Sequence, residues 1–582
     1  MIKHLSLLIV VLGLSPRVFA QEEKDNIGTE TVTVTKAYSP TISDAFKIKS
    51  IPDLNDSIVL QKKEIGYTIF SVPVASTFTP AKGKASAVRK LPPPELYDSY
   101  ASAGLGNPGN FMAKFYTSRA INRDQRLDVG FDHYSALANI DGVALDSKYA
   151  NTEVDASYAK RDRDTNWGVD VGLQHQYYNW YGLPEETYDT ETINGIDSKQ
   201  NYFMGEIGAY VNIEDAYFKN ADIEYRRFGD AVESGENRLV FGAGLEFPVG
   251  EEVLDVALNL DYVGGSFANA DVNSPTNDAG IDYGNFQVGL NPSLRMLRDD
   301  LTVDLGLNIV YGMDMEESGN NFYIYPDVAA SYRLLDENVI VYGGVKGELK
   351  QNSYYGFVEE NPYVSPTLTI QPTDAQYDAY VGFKGQLLPN LSYNIKGSYT
   401  AENRRPLFHL NPQNGFRDDE KGYYYGNSFQ VFYDDMKTLG LFAELNVDVN
   451  RNFTLGVNAE VYDYDTETDN PAWNLPNMKG SLFMDYQIGE QWYMGVNLFY
   501  VGERDDYSAT VVEDPTPGVT NVALITLDGY FDANAHVGYR VNDRLSLFIK
   551  GANLTDNDYQ KWANFAVQGI QLLGGATYKF DL

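Results

Sequence analysis

The chain has 582 residues and no cysteine. That absence excludes a disulfide scaffold, a thiolate zinc site, a cysteine nucleophile and a lipid-modified cysteine at the start of a mature chain. Basic residues are in short supply: 45 Lys and Arg face 81 Asp and Glu, for a net charge of −36. Such a chain repels phosphate backbones, so no nucleic acid partner is expected. Histidine is sparse too, and His4, His133, His175, His409 and His536 fall at no metal-ligand spacing. His175, in an aromatic-rich strand end, reads as a girdle or lumen residue. Long apolar runs are missing, and no stretch reaches the ~18–20 residues a membrane-spanning helix needs. The H-E-x-x-H and G-x-S-x-G patterns and phosphate-cradling loops are also absent, and nothing nominates a convergent nucleophile and base. No enzyme activity, catalytic residue, metal site or cofactor is therefore expected.

Aromatic residues, by contrast, are plentiful. With 44 Tyr, 29 Phe and 13% aromatic content overall, the composition is far from that of a disordered chain. The first 20 residues have the three parts of an export signal: Lys3, then the apolar core Leu5–Leu14, then Val18 and Ala20 in small-residue positions. Cleavage is expected between Ala20 and Gln21.

From about Tyr97 to Leu582 the apolar signal has period two. In the stretch 531–540, Phe531, Ala533, Ala535, Val537 and Tyr539 alternate with Asp532, Asn534, His536, Gly538 and Arg540. The stretches 254–262, 301–311 and 453–462 behave alike. Successive strand side chains point to opposite faces, so each segment has one oily and one polar surface. A soluble sandwich uses strands of about five or six residues. These segments run longer, near the ~9–11 residues a tilted strand needs to cross a bilayer. Tyr262, Tyr311, Tyr462, Trp492 and Tyr539 sit near their ends, as aromatic interface girdles require.

Punctuation points the same way. Tight polar turns at 249–252, 297–300, 335–338, 388–390, 450–452 and 541–543 alternate with much longer polar loops, the pattern of an outer-membrane barrel. Reading the tight turns as periplasmic gives about 22 strands between residue 97 and the C-terminus, with residues 424–449 taken as one long descending strand. The expected fold is all-β, a transmembrane antiparallel barrel with a short N-terminal periplasmic or lumenal segment over 21–96. At this size, outer-membrane transporters have a plugged lumen.

The two ends carry a family resemblance. The stretch 551–559, with Asn553-Leu554-Thr555-Asp556 and Tyr559, resembles the signature preceding the last strand of TonB-dependent outer-membrane receptors of the kind abundant in Bacteroidota. The final stretch, with Gly575, Tyr578 and Phe580, resembles their barrel-assembly signal: Tyr578 and Phe580 alternate onto the lipid face while Lys579 points inward. It departs from that pattern in ending on Asp581 and Leu582. Near the start, Glu30, Thr31, Val32, Thr33, Val34 and Thr35 resemble a TonB box, a β-prone segment that adds as a strand to an energy-coupling protein. The resemblance implies a TonB-type coupling partner and outer-membrane lipid, and leaves room for a surface lipoprotein.

Residues 36–96 depart from the family, being too short for its plug and containing no Arg-Gly dipeptide. The expectation is a reduced or missing plug. Residues 21–97 hold ten basic and nine acidic side chains, so the negative charge falls on the barrel and its loops. Lys82, Lys84, Arg89 and Lys90 could then draw the segment to an acidic inner wall; a periplasmic tail is the alternative.

The function implied is uptake of a scarce solute across the outer membrane, energised through Glu30–Thr35. The alternatives are a scaffold or subunit of an envelope assembly or secretion complex, and a passive porin. Aromatics near the outer loops, Tyr177, Tyr178, Trp180, Tyr181 and Tyr423–Tyr425, read either as platforms for a sugar or peptide or as interface anchors. The acidic loops at 184–192, 465–470 and 503–507 fit no calcium-loop spacing and read as solvated outer surface.

Overall fold

The computed structural model describes residues 96–184, 188–214, 217–268, 280–316, 319–414, 421–512 and 518–582. The expected export signal and the Glu30–Thr35 segment lie outside them.

Between Ser99 and Phe580, 22 antiparallel strands form a single sheet. The first strand, Ser99–Asn107, pairs with the last, Gln571–Phe580, in unbroken register from Ser99↔Phe580 to Asn107↔Leu572. The sheet is therefore a closed barrel. Closure is what lets strands cross a bilayer, because lipid offers no partner to an unpaired N–H or carbonyl. At this seam the wall is thinned: a Cβ on Gly575 would overlap the carbonyl oxygen of Ala103 and the ring of Phe548.

Alternation places the apolar side chains outward. Leu301, Leu305, Leu307 and Tyr311 are exposed on one strand, Val171 and Leu173 on another, and Phe531 and Val537 on a third. Trp492 and Tyr539 meet on this surface with ring centroids 4.7 Å apart, an aromatic pair near the ends of their strands. His175 also faces outward, stacked on Phe203 at 4.8 Å. Tyr462 does not belong to the outer surface. It lies nine residues from Phe453, an odd number, so the same alternation turns it inward, where its hydroxyl donates to Glu460 Oε2 at 2.8 Å.

One end of the barrel is closed by short turns. The connections 250–251, 299–300, 389–390 and 451–452 have two residues each, matching the turns read from the sequence. Local side chains close the 451–452 turn and the four-residue turn 541–544: Asn450 Oδ1 accepts from Asn452 N, and Asn542 Oδ1 from Arg544 N and Leu545 N. The other end carries the long connections 351–372, 411–428, 502–529 and 553–570, although 108–109 and 231–234 are short there too. Residues 429–450 form one strand, Phe429–Asn450, paired along its length with Leu391–Leu410. At 20 and 22 residues, these two are about twice as long as a crossing needs and project beyond the outer rim. Their ladder breaks at a bulge between Glu402 and Arg405, where Arg404 has φ +54° and its N–H donates to Asp435 Oδ1 at 2.7 Å. Bulges bend a hairpin and increase its twist. Beyond this one, Leu407, Phe408, Leu410 and Phe429 are buried.

Candidate functional site at the outer mouth

Loops exposed to water on every side would carry polar residues. These instead carry YYGFVEENPYV (354–364), GYYYGN (422–427) and YQKWANFAVQG (559–569). Their aromatics need a place to be buried, and the structure puts it at the outer mouth. A single cluster of buried side chains joins Leu145, Tyr181, Tyr354, Phe408, Trp562 and Phe565, which hang from connections, and in Phe408 from the projecting end of a strand, distributed around the barrel. A cluster with such attachments lies across the mouth.

The anchor is the connection 351–372. Its short helix, Tyr354–Glu360, begins at Ser353, whose hydroxyl accepts from Gly356 N at 3.0 Å. Glu236, at the outer end of the strand Gly235–Val249, supplies a second cap: its carboxylate accepts from Tyr354 N at 2.5 Å and Tyr355 N at 3.4 Å, and from the Tyr283 hydroxyl at 2.8 Å. An anion at the first turn of a helix satisfies donors that have no partner within the helix. The Tyr354 ring is fully buried between Phe228 and Phe267, at 5.1 and 4.9 Å, and its hydroxyl donates to Asp230 Oδ2 at 2.9 Å. Tyr202 fixes the helix exit by donating to Pro362 O at 2.9 Å. A connection between the 13th and 14th strands is thus docked on the inner wall of the sixth to tenth.

The connection 553–570 closes from the opposite side. Phe565 stacks on Tyr363 at 3.9 Å and meets Tyr181 edge-on at 4.9 Å, while the Tyr181 hydroxyl donates to Ala566 O at 2.8 Å. Trp562 packs against Phe408 and Phe429. Each such ring contributes about 1.5–3 kcal/mol by burial, with ~0.5–1.5 kcal/mol more for each well-placed aromatic pair.

Trp180, Tyr423 and Tyr424 form a neighbouring cluster, each at most 2% exposed. Asn427 ties it together, donating to Trp180 O at 2.7 Å and Gly422 O at 2.8 Å. These aromatics are therefore neither platforms open to a ligand nor bilayer anchors; they are the interior of the roof.

A small sheet of Gln413–Asn414, Arg504–Val512 and Gly518–Leu527 lies above the rim. Asp506 locks it down. Its buried carboxylate accepts from Leu410 N and Asn474 Nδ2, both at 2.9 Å, and from Tyr507 N at 2.8 Å. Burial pushes its pKa up to about 6 in spite of these donors. One of the acidic loops read as solvated surface is thus a structural tie. Arg504 reaches across to the 553–570 connection, donating to Gln560 O at 2.8 Å and Lys561 O at 2.5 Å.

Below the roof the wall is strongly acidic over one sector. Asp155, Asp170, Glu206, Asp222 and Glu224 occupy inward positions on four consecutive strands, opposite the outward Val154, Val171, Ile207, Ile223 and Tyr225. Arg238 is engaged bidentately by Asp261 at 3.0 and 2.6 Å. Glu359, on the docked helix, accepts from Gln176 Nε2 at 2.8 Å. Among the described residues no group of three or more His, Asp or Glu side chains is arranged to hold a metal ion.

Of the residues singled out from the sequence, Gly575, Tyr578 and Phe580 lie on the closing strand, with Tyr578 and Phe580 stacked on its outer face at 6.1 Å. Glu30, Thr31, Val32, Thr33, Val34 and Thr35 fall outside the described residues. The roof residues Glu236, Tyr354, Trp562 and Phe565 were not anticipated. The signal that could have found them is aromatic density inside long loops.

No family model matches the sequence, and no curated protein does. Solved structures resemble it in fold. The ferripyoverdine receptor of the outer membrane of Pseudomonas aeruginosa aligns with 84% of this chain and 72% of its own, at 14% identity and a TM-score of 0.61. The siderophore receptor PirA from Acinetobacter baumannii aligns with 83% of this chain and 80% of its own, at 13% identity and a TM-score of 0.61. The ferric enterobactin receptor PfeA from Pseudomonas aeruginosa, in complex with enterobactin, gives 83%, 81%, 12% and 0.59. At such identities the likeness is one of fold.

Proposed function

We propose that this protein is an outer-membrane receptor-transporter that takes up a scarce solute across the outer membrane with energy supplied from the periplasmic side. The observation that carries this reading is a closed 22-strand barrel, of the fold seen in outer-membrane siderophore receptors, whose outer mouth is roofed by its own connections. A passive pore works with an open mouth. A roof held by buried carboxylates and stacked rings suits a receptor in which admission of the solute is a controlled step.

In this reading residues 1–20 direct export, and Glu30–Thr35 add as a strand to a TonB-type coupling protein in the periplasm. The acidic wall favours solutes or chain segments bearing positive charge, and a surface lipoprotein is a compatible further partner. The chain belongs by this account with the TonB-dependent receptors of Bacteroidota, with a reduced plug in 36–96.

The test is deletion of Glu30–Thr35 in the native host. Normal barrel insertion with loss of solute accumulation, or of growth on the limiting nutrient, is expected. Accumulation and growth that match the wild type would instead assign the barrel to a scaffold of an envelope complex.

A further inference from the structure

Across the lumen from the acidic sector, the wall sets tyrosine against glycine. On the strands Val339–Lys350 and Thr373–Leu388, Tyr342 pairs with Gly382 and Gly344 with Tyr380. Further round, Gly440 on Phe429–Asn450 pairs with Tyr462 on Phe453–Thr466. These positions face inward, opposite the outward Val381, Leu439 and Val461. A Cβ on Gly382 would overlap the Tyr342 ring, one on Gly344 the Tyr380 hydroxyl, and one on Gly440 would touch the Tyr462 ring. Each half-buried ring therefore leans across onto a glycine of the neighbouring strand, which leaves its other face toward the lumen. Tyr342 and Tyr380 stand 6.2 Å apart at 51° to one another and form a corner. Lys384 and Lys396 hold their ammonium groups 5.6 and 6.0 Å from the centres of these two rings. That is the outer limit of a cation–π contact, so neither covers its ring.

The corner opens into a recess of about 400 Å³, lined also by Asp378, Asn394, Lys396, Phe442, Glu460 and Tyr462, within the ~300–1,000 Å³ of small-molecule sites. Its polar groups are only partly engaged. Asn394 Oδ1 accepts from the Tyr342 hydroxyl at 2.6 Å, Asp378 Oδ1 from Thr400 Oγ1 at 3.2 Å, and Glu460 Oε2 from the Tyr462 hydroxyl at 2.8 Å. Asn394 Nδ2, Lys396 Nζ and the second oxygen of each carboxylate have no hydrogen-bond or ion-pair partner among the described residues. None of these four atoms is sealed from the lumen.

Open donors and open acceptors thus face one space, and they stand on both sides of it, from Asp378 to Glu460 over three strand spacings or about 14 Å. An ionised carboxylate only accepts and an ammonium only donates, whereas a hydroxyl does both. The ligand matched to this lining has an apolar ring face for the tyrosines and hydroxyls all round its edge. A saccharide has that form. With charges of both signs in its lining, the recess accepts neutral and amino sugars alike, while the acidic wall opposite disfavours anionic ones.

We propose that this recess is a saccharide subsite. Tyr342 and Tyr380 stack on the C–H face of a sugar ring, Asn394 and Lys396 donate to its oxygens, and Asp378 and Glu460 accept from its hydroxyls. This rests on the reading that solute enters the lumen, and it names the class of that solute. The test uses the purified full-length protein in an amine-oxide detergent, which has no sugar headgroup. Maltotriose, cellotriose, the glucosamine trimer and the galacturonate trimer serve as probes, with binding read by saturation-transfer NMR. At least one of the first three is expected to bind through its ring C–H protons, and galacturonate is not. Replacing both rings, Tyr342→Ala with Tyr380→Ala, is expected to weaken that binding about tenfold or more, and Asp378→Asn to weaken it several-fold. Tyr380→Phe keeps the ring and is expected to bind like the wild type; heat-modifiable migration on gels verifies that each variant barrel is folded. Absence of binding by all of the first three probes, galacturonate binding as tight as theirs, or full binding in the folded double variant overturns the proposal. Because binding is measured at equilibrium without a coupling protein, it can fail while uptake survives, and the reverse.

Discussion

The two ends of this barrel are built on opposite principles. At the inner end, turns of two to four residues close on themselves, some through backbone bonds and some through a side chain two or three positions away, as Asn450 and Asn542 do. At the outer end local caps are joined by long-range ties between connections. Tyr181 bonds to Ala566, Glu236 caps a helix at Tyr354, and Arg504 reaches Gln560. The inner end needs only the right turn residues. The outer end needs the whole barrel in place, because the barrel sets the distances over which its connections meet. An end stabilised by long-range contacts is also the one that can open as a unit, whereas self-contained turns have no second arrangement to move to.

That contrast is easiest to break at the roof. Phe565→Ala removes a ring in contact with Tyr181, Tyr363 and Phe429, and a buried Phe→Ala change costs about 3–5 kcal/mol. The expected outcome is faster hydrogen exchange across 354–370 and 559–569 together, with the strand core unchanged and higher ion conductance in planar bilayers. Exchange confined to the mutated connection would mean that the roof is not cooperative.

A more local effect is expected at Glu236. Glu236→Ala leaves the Tyr283 hydroxyl and the Tyr354 N–H buried without their acceptor, at about 1–3 kcal/mol for each unsatisfied group. Undocking of the Tyr354–Glu360 helix, read as new protease cleavage in 351–372, is the expected result. Glu236→Gln keeps one acceptor and is expected to cleave more slowly.

The pH response of the small outer sheet is smaller still. The folded pKa of Asp506 is raised to about 6 from an ordinary 3.8, so the folded form binds the proton more tightly than the unfolded one. Its contribution is full below about pH 4 and is lost as pH rises through 6. Proteolysis of the 504–527 hairpin, corrected for protease activity, is expected to quicken from pH 4 to 7 in the wild type and to lose that dependence in Asp506→Asn. Least of all is expected from the inner turns: Asp543→Ala, at an exposed turn position, should leave thermal unfolding and exchange unchanged, since such surface sites carry little stability.

Much of this architecture can be read without coordinates. The 22 crossings, the long Phe429–Asn450 strand and the outward Trp492 and Tyr539 follow from period-two alternation and turn residues. Tyr462 shows how strict that rule is: an odd spacing from Phe453 sends it inward whatever its residue type suggests. The roof was a different matter. Trp180, Tyr423 and Tyr424 have the composition of a binding platform or a membrane anchor, and nothing local separates either from a buried core. Asp506 sits in a charged run that looks solvated, yet it is buried. Lys550 and Met112 are 438 positions apart and meet only because the first and last strands pair.

What the amino-acid order determined by itself is whatever depends on neighbours one to four positions away: which residues face lipid, where the chain reverses, how many times it crosses. What only the tertiary structure decided is where the connections go once the barrel has closed. Closure brings strands from the two termini side by side and faces loops from opposite walls toward one another. The partners of Tyr354, Phe565 and Lys550 are therefore fixed by the circumference of the sheet and not by any spacing along the chain.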